Sequence, residues 1–418
     1  MVASTDIKFY VHTNNNAPQL QNAYGSMINV LDACLINGVN IGTVSSLTAS
    51  GTTVTALFSS AHNLMQYQVI KITGANQPEF NGEHRILTVP NAQSVTFDLA
   101  VVPSASNATG LIEASLPPLG WEKPFSSVNV NGGGKAAYRS LNLLLPSRPF
   151  LRVVDELDPV WTSTYAKYAK VGIVEDMLDI NTLIGAQVPF DATNPEKNWK
   201  GTGSGSSAYN GWAKWYYARY QLASGTADQT DPPGGNRAWI IIGSSDYFYI
   251  SNITSSNDNA AHLHGFGCFD TYAETTDLGN WILSASYAYT KPNDYIYTTD
   301  SGGLGSSQAP SYTLYDLSYS SSNKAVSLSS TGLKEDGVRS GNSNDVGYNI
   351  NAPVMFFPVY LLEGTVLRGS LKNLYWLRQA LPFTNRQLIQ RKETVFIAVS
   401  AIVYNSFGGQ VMIKVGEI

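Results

Sequence analysis

The sequence predicts a mainly β protein: a β-sandwich-like body with one N-terminal helix packed on it, plus a small inserted β-sandwich or barrel domain. Short runs of β-branched and aromatic residues recur along the chain, and Gly, Asn, Pro and Ser turn signals separate them. One stretch, Ala17–Asn37, has apolar residues at helical spacing. Residues 41–116 carry short, closely spaced strand signals, and we expect them to be a domain inserted into a body of residues 1–40 and 117–418.

The first predicted elements are a strand and a helix. Lys8–Val11 is a short apolar strand, and Asn14–Asn16 supplies a cap region with Pro18 early in the helix that follows. One face of that helix is apolar, which predicts packing against a sheet. The residues on this face are Leu20, Tyr24, Met27, Ile28, Leu31, Cys34 and Leu35.

The inserted domain is predicted to hold five or six strands, which is typical of a small sandwich or barrel. The strand segments are Val44–Leu47, Thr53–Phe58, Gln68–Thr73, Glu83–Val89 and Ser94–Leu99. Turn signals separate them at Ser50-Gly51, Gly74–Asn76, Asn81-Gly82 and Pro90-Asn91.

The body is predicted to continue as strands joined by long polar loops. The strand segments are Ala136–Ser140, Pro149–Asp155, Ala169–Met177, Trp239–Ile242, Tyr247–Ile250, Trp281–Ser284, Val354–Leu362, Val366–Gly369, Tyr375–Leu377, Thr394–Tyr404 and Gln410–Val415. The turn Gly243–Asp246 predicts a hairpin. The predicted loops are Thr202–Ser207, Ala223–Gly235, Ser301–Ser311 and Ser318–Asn344.

The composition favours a protein with much uncharged surface. Charged residues make up 14% of the chain and the net charge is −5, so we expect no nucleic-acid partner. No apolar run is long enough to cross a membrane, and we expect no secretory signal, because Met1–Asp6 has no basic start followed by an apolar core. Cys34 and Cys268 are the only cysteines, and we expect them to be reduced in a protein made in a cytoplasm.

Two sets of residues were weighed as sites for metal or for chemistry. His262 and His264, two apart on a predicted strand, face the same side, with Asp258, Cys268 or Asp270 as possible third ligands. Structural histidines are the preferred interpretation, and no cofactor or metal is expected. Paired carboxylates occur at Asp155, Glu156 and Asp158 and at Glu175 and Asp176, but solvated loop carboxylates are favoured over a glycoside hydrolase site.

Two further segments have simple structural interpretations. An aromatic cluster could anchor an interface, lie in the core or stack on sugars, and we take its members as interface candidates. These are Trp212, Trp215, Tyr216, Tyr217 and Tyr220. The glycine-rich loop Asn129–Gly134 lacks the Gly-Lys-Ser/Thr ending and the following helix of a phosphate-binding loop.

Several body segments resemble a group of tailed-bacteriophage virion proteins. They are Gly120–Phe125, Ala137–Ser140, Phe150–Val153, Gly172–Met177, Trp239–Ile250, Gly267–Asp270 and Val366–Gly369. In that group the opening helix runs almost directly into the Gly-Trp segment, which implies that residues 41–116 are an insertion. The insertion resembles small β domains of phage tail and fibre proteins at Ala61–Leu64 and Glu79–Gly82, while Tyr67-Gln68 stands in place of the expected Gly-Asp.

The resemblance and the composition together predict a non-enzymatic structural component of a tailed-phage virion. We expect it to assemble as a symmetric homo-oligomer in the tail, neck or collar, in contact with other virion proteins. An adhesin that binds host glycan is the alternative, and a glycan-degrading tail enzyme is the third hypothesis. We expect deletion of residues 41–116 to leave a folded body.

Overall fold

The fold is given by a computed structural model that describes most of the chain. The described residues are 3–204, 208, 211–220, 228–255, 261–272, 280–287, 312–316, 325–330, 354, 356–363, 366–377, 382–404 and 407–418. Strands dominate these residues and the helical segments are short, so the mainly-β prediction is confirmed.

Most strands of the first part of the chain overlap predicted segments. The strands are β1 (Lys8–Val11), β2 (Val39–Ser50), β3 (Thr53–Phe58), β4 (Val69–Ala75), β5 (Gly82–Arg85), β6 (Thr88–Asn91), β7 (Ser94–Asp98) and β8 (Gly110–Leu116). However, β8 was not predicted, the predicted strand Glu83–Val89 is divided into β5 and β6, and the predicted turn Pro90-Asn91 lies in β6. A 3₁₀ turn, Pro78–Phe80, lies between β4 and β5.

The body contains the remaining strands. They are β9 (Trp121–Val128), β10 (Gly133–Ser140), β11 (Phe150–Glu156), β12 (Lys167–Met177), β13 (Leu183–Val188), β14 (Ala213–Ala218), β15 (Trp239–Gly243), β16 (Tyr247–Ile253), β17 (Ala261–Cys268), β18 (Asp270–Thr271), β19 (Asn280–Ser284), β20 (Ser286–Tyr287), β21 (Tyr312–Asp316), β22 (Ala325–Ser330), β23 (Phe356–Glu363), β24 (Val366–Leu377), β25 (Leu388–Arg391), β26 (Thr394–Tyr404) and β27 (Phe407–Glu417). Because β22 lies inside the predicted loop Ser318–Asn344, the loop prediction is wrong there. Predicted loop Ser301–Ser311 lies outside the described residues.

Strands β2 to β8 form one sheet, called here the inserted sheet. Within the described residues its order is β5-β4-β8-β2-β3-β7-β6, with no strand from elsewhere. The first half of β2 pairs with β8 and the second half pairs with β3, with register shifts at Asn40/Gly42 and Val44/Ser46. Buried and exposed side chains alternate along β3, as expected for a sheet with one buried face. The division of the chain into a body and an inserted domain stays a prediction.

Two further sheets build the body. In the described part of the chain the long sheet runs β1-β15-β16-β17-β19-β21-β22-β23-β24-β27-β26-β25, with β18 beside β24. It folds over on itself, because β17 contacts β26 and β1 contacts β27. The short sheet runs β20-β14-β12-β11-β10-β9, with β13 beside β12.

The largest core lies between the long sheet and the short sheet. Trp239, Phe248 and Trp281 of the long sheet face Leu151 and Trp215 of the short sheet, and all five side chains are buried. The same cluster continues without a break into the inserted sheet. A second core fills the fold of the long sheet and includes Ile240, Ile282, Val359, Ile397 and Val411.

The N-terminal helix is shorter than its apolar spacing predicts. Helix α1 covers Ser26–Leu31 and continues as π-helical turns over Asp32–Asn37. The preceding Gly25 has a φ of 87°, a left-handed conformation that an α-helix does not contain, and Leu20 forms a β-bridge with Arg237. Residues 17–25 are therefore not helical, although the predicted packing face from residue 27 onward is buried except for the half-buried Ile28.

Arg85 of the inserted sheet reaches into the body with its side chain. Its guanidinium donates hydrogen bonds to the carbonyl oxygens of Ser4, Ile7, Tyr67 and Val415 at 2.5, 3.0, 2.7 and 2.8 Å. Burial lowers the pKa of Arg85 to about 10, so the side chain stays charged at neutral pH. One buried cation thus joins the inserted sheet to segments near both ends of the described chain.

Gln68 makes a second buried contact between the inserted sheet and the body. Its Nε2 donates to the carbonyl of Phe9 and to Oδ1 of Asn14, each at 3.0 Å. Because β1 is the last strand on its side of the long sheet, the carbonyls of Ile7 and Phe9 have no strand neighbour there. Arg85 and Gln68 therefore cover the polar edge that β1 would otherwise expose.

Candidate assembly surface

The aromatic cluster predicted as an interface lies mostly inside the chain. Trp212, Trp215, Tyr216 and Tyr217 are buried, and only Tyr220, 43% exposed, offers surface to a partner. Strand β14 explains this arrangement, since it lies between β12 and β20 in the short sheet with one face on the main core. As a partner-binding residue, Tyr220 remains a prediction, and the other four fill the interior of the chain.

Asp155 caps the start of α1 from a distant strand. Its Oδ2 accepts a hydrogen bond from the N–H of Met27 at 3.0 Å, and its Oδ1 accepts one from the hydroxyl of Tyr217 at 2.6 Å. Burial raises the pKa of Asp155 to about 6, while Tyr217 and the backbone N–H groups of Gly25, Ile28 and Met27 act in the opposite direction. These contacts give the buried carboxylate a structural task that satisfies the first turn of the helix.

The other carboxylates weighed as catalytic candidates also have partners in the fold. Asp158 forms a buried ion pair with Lys170 at 3.0 Å. Burial opposes ionisation of Asp158, yet Lys170 and backbone N–H groups outweigh it and hold its pKa below the usual value. Glu175 accepts a hydrogen bond from the N–H of Ala186 at 2.7 Å, and Asp176 is exposed.

The histidine pair lies on β17 with both rings buried. Cys268 is at the end of the same strand, and its thiol donates to the carbonyl of Asp246 at 3.3 Å. Asp270 is largely exposed and lies 3.7 Å from the ammonium of Lys372. Asp258 is outside the described residues. Among the residues that are described, no three His, Cys, Asp or Glu side chains are grouped to hold a metal ion.

The glycine-rich loop Asn129–Gly134 turns the hairpin of β9 and β10 and brings it against α1. Gly133 has a φ of 73°, and a Cβ there would lie 1.9 Å from the carbonyl oxygen of Asp155 and 2.9 Å from the backbone nitrogen of Gly25. Only a glycine permits this approach. The loop therefore serves the packing of the hairpin.

Exposed aliphatic side chains lie at both ends of this hairpin. Val128 and Val130 stand at the turn, 91% and 98% exposed. Leu143 and Leu144 follow the end of β10 and are 76% and 93% exposed. An 8-residue strand spans about 26 Å, so the two apolar groups mark separate surfaces. Sequence reasoning missed them, although the run Leu141–Leu145 before a proline was a visible signal.

Hydrogen bonds hold the leucine-bearing loop in place. The side chain of Asn142 accepts from the N–H of Leu144 at 3.1 Å and donates to Asp246 at 2.8 Å. Arg148 donates to the carbonyl of Ser140 at 2.9 Å. The leucines are thus exposed on an anchored loop. Such a loop favours binding, because it loses little conformational entropy when a partner docks.

The valine-bearing turn is anchored in the same way. Asn129 donates from its side chain to Glu156 at 3.1 Å, and its Oδ1 accepts from the N–H of Asn131 at 2.9 Å. The N–H of Asn129 also bonds the carbonyl of Gly133 at 2.9 Å.

Strand β9 is the outer strand of the short sheet on this side. It pairs with β10 alone among the described strands, and a register shift lies between Ala137 and Arg139 of their ladder. Pro124 lies in β9 opposite this irregularity. Proline and bulges on an outer strand hinder edge-to-edge pairing. Any docking at this hairpin therefore depends on its apolar ends more than on its backbone.

No helix among the described residues is long and apolar enough to span a membrane.

Comparison with known proteins yields little. No protein-family model and no curated protein matches the chain. Among solved structures, it aligns with the endosialidase of phage phi92 at 7% identity and a TM-score of 0.16, over 91% of this chain and 51% of that one. The chain thus spans about half the length of that protein, and a likeness of this size carries no argument about fold or function.

Proposed function

We propose that this chain is a structural subunit of a tailed-phage virion, in the tail, neck or collar, and that it assembles with copies of itself through the β9–β10 hairpin. The phage assignment rests on the segment resemblance described above. The assembly role rests on one observation, the exposure of Leu143 and Leu144 on a loop fixed by hydrogen bonds.

The energetics favour docking at this loop. Burying one leucine side chain stabilises a contact by roughly 1.5–3 kcal/mol. Val128 and Val130 add a second apolar group at the other end of the hairpin. Two different surfaces on one subunit fit a head-to-tail contact, which closes into rings or grows into stacks.

A non-enzymatic role is part of the same proposal. Its support is the use of Asp155 and Asp158 within the fold, where each carboxylate holds backbone N–H groups or a lysine. We expect no hydrolysis of bacterial surface glycans by the purified protein, measured as release of reducing ends.

The assembly test is the molar mass in solution of the full chain and two variants, measured by light scattering over a concentration series. We expect an oligomer for the wild type and a shift towards monomer for Leu143→Ser/Leu144→Ser. Leu111→Ser is the matched control, since Leu111 is 90% exposed on the inserted sheet. A monomeric wild type, or an oligomer unchanged in the double variant, would contradict the proposed surface.

The virion assignment has a separate test. Mass spectrometry of purified particles should find the chain in many copies, and immunogold labelling should place it in the tail, neck or collar. Absence from purified particles would overturn the virion role without affecting the assembly result.

A glycan-binding role is the second candidate, and one ring pair favours it. Tyr272 is 53% exposed, and its ring centroid lies 6.4 Å from that of Tyr360. Aromatic side chains combine an apolar face with a polar tip, which suits a sugar ring. Binding on a glycan array that disappears in Tyr272→Ala would favour this role.

A further inference from the structure

His262 and His264 lie side by side at the contact between the long sheet and the short sheet. Because they are two residues apart on β17, they point to the same face. Their ring centroids are 5.7 Å apart, with an interplanar angle of 18°. The ring of His264 lies 6.0 Å from that of Trp215, and the ring of His262 lies 6.4 Å from that of Tyr216, both on β14.

The ionisable groups that face this pair come from β14 and the residues after it. Arg219 acts on His262 electrostatically and forms a buried ion pair with Asp228 at 2.7 Å. Asp228 also accepts a 2.6 Å hydrogen bond from the hydroxyl of Tyr216. The carboxylate of Asp228 is therefore already paired with Arg219 and Tyr216. The guanidinium of Arg219 disfavours a second positive charge on His262.

The two strands beside β17 add no charge at the pair. On β16 the cross-strand partners are Asn252, opposite His262, and Ile250, opposite His264. On β19 the pairing begins only at Gly265, opposite Ser284. Within the described residues the surroundings of the pair are thus aromatic, amide and aliphatic, with Arg219 as the charge that acts on it.

Protonation of either imidazole would create an N–H group with no hydrogen-bond acceptor among the described residues. Nε2 of His262 and both ring nitrogens of His264 are buried without a hydrogen-bond partner. A neutral imidazole tolerates such surroundings far better than an imidazolium, because a buried charge needs a partner or water.

We propose that the His262–His264 pair is an acid-operated switch that loosens the packing of β14 against β16 and β17. The contacts at stake join the two sheets directly. Asn252 donates to the carbonyl of Tyr216 at 2.9 Å, and the N–H of Arg219 donates to the carbonyl of Thr254 at 2.9 Å. Charging the imidazoles draws water to this contact and separates the sheets there.

The direction of the pH dependence follows from the pKa shifts. Burial lowers the pKa of His262 to about 3, with Arg219 adding to the effect, and burial lowers the pKa of His264 well below its usual value. Both folded-state values lie below that of an unfolded histidine, about 6.5. The stability from the neutral pair is therefore complete above pH 6.5 and is lost as the pH falls towards 3. Each pH unit in this window lowers the folding equilibrium constant by up to about tenfold per histidine.

Hydrogen exchange of the full wild-type chain tests the switch. Exchange is followed by mass spectrometry at pH 7.5 and 5.5 and corrected for the intrinsic rate. We expect at least a tenfold loss of protection in peptides covering 211–220 and 247–268. Peptides covering 366–377, where the chain has no histidine, serve as the internal control and should change little.

Variants assign the effect to the pair. His262→Gln/His264→Gln should keep its pH 7.5 protection at pH 5.5, whereas the control His84→Gln should respond like the wild type. Equal protection of the wild type at both pH values, or a full acid response in the double variant, would overturn the proposal. Should the double variant not fold, the wild-type pattern decides: loss confined to 211–220 and 247–268 supports the switch, and uniform loss contradicts it.

Discussion

The hydroxyl of Tyr217 donates a 2.6 Å hydrogen bond to the carboxylate of Asp155, and both side chains are fully buried. The same carboxylate holds the N–H of Met27 at the start of α1. The contact thus fixes three elements relative to one another: β14, β11, which is separated from β14 by β12 in the short sheet, and the helix.

Replacing Tyr217 by phenylalanine should lower the unfolding free energy by about 1–2 kcal/mol at pH 7.5, because the carboxylate loses a donor. The pKa of Asp155 in the folded state, already raised to about 6, should rise further. A raised folded-state pKa means that the stability contribution of Asp155 is complete below pH 3.8 and is lost as the pH rises through about 6. The loss in Tyr217→Phe should therefore be smaller at pH 5 than at pH 7.5, as measured by urea unfolding. Tyr220→Phe is the control, and equal losses at both pH values would contradict the assignment.

Gly132 and Gly133 should respond very differently to alanine. Gly133→Ala drives a Cβ against the backbone of Asp155, so we expect a loss of at least about 3 kcal/mol or failure to fold. Gly132 has a φ of 100°, and a Cβ built there would have no atom within 4 Å. Alanine at this position should therefore lower the unfolding free energy only by the strain of a left-handed backbone, about 1–2 kcal/mol. Thermal unfolding of both variants measures the difference, and similar midpoints would count against the close approach of hairpin and helix.

The ion pair of Asp158 and Lys170 should matter more than an exposed pair of the same type. Asp158→Asn leaves Lys170 charged inside the protein, and we expect a loss of about 3 kcal/mol. Glu196 and Lys200 form a pair at the same 3.0 Å distance, but both are exposed. Glu196→Gln should therefore change stability by less than about 0.5 kcal/mol. Urea unfolding at pH 7.5 compares the two, and equal effects would show that burial is not the deciding factor.

Arg85→Met should destabilise the contact between the inserted sheet and the body. Four carbonyl oxygens lose their donor, and we expect a loss of about 3 kcal/mol together with faster hydrogen exchange in β1 and β27. Arg85→Lys should recover little, because an ammonium cannot span four acceptors. Lys71→Met, at an exposed position of β4, is the control. Unchanged exchange in β1 would rule out the role given to Arg85.

Deletion of residues 41–116 should give a body with a lower unfolding temperature than the full chain. The sequence alone predicts that the body stays folded, and the contacts of Gln68 and Arg85 with Phe9 and Ile7 predict a cost. The uncovered edge of β1 should also promote self-association. Thermal unfolding and light scattering check both expectations, and an unchanged midpoint without aggregation would show that the inserted sheet is dispensable.

Local signals predicted strands best where both faces are buried. Trp239–Ile242 is an uninterrupted apolar run, Trp281–Ser284 is apolar up to its final serine, and every residue in both is buried. Strand β8 lies between β4 and β2 in the inserted sheet and was not predicted, although Glu113 and Ser115 alternate with its apolar residues. Its strand signal is weak because Ile112 is its single β-branched residue.

Two turns of the inserted sheet form with residues that seldom adopt a left-handed backbone. Asn63 and Tyr67 have φ values of 50° and 64°, a conformation that favours glycine. The Oε1 of Gln68 accepts from the N–H of Met65 at 2.8 Å, which is the kind of turn contact an aspartate makes. Residue identity alone therefore does not predict where these turns form.

At the candidate site, the sequence could not predict which side chains are exposed, because exposure there depends on packing between distant parts of the chain. Nothing local distinguishes Tyr217, inside the core, from Tyr220, at the surface, because burial depends on which sheet β14 joins. Exposure of Leu143 and Leu144 likewise depends on how Asn142 and Asp246 meet, 104 positions apart in the chain.

The bond between Arg85 and the carbonyl of Val415 joins residues 330 positions apart. On a ribosome that adds about 5–20 residues per second, Arg85 waits roughly 15–70 s for this partner. The inserted sheet can form during translation, because three of the four carbonyl acceptors of Arg85 precede it in the chain, but the fourth acceptor is missing until β27 emerges. Nascent chains are therefore most exposed to mispairing late in synthesis, and chains truncated before β27 should bind chaperones more strongly than the full chain.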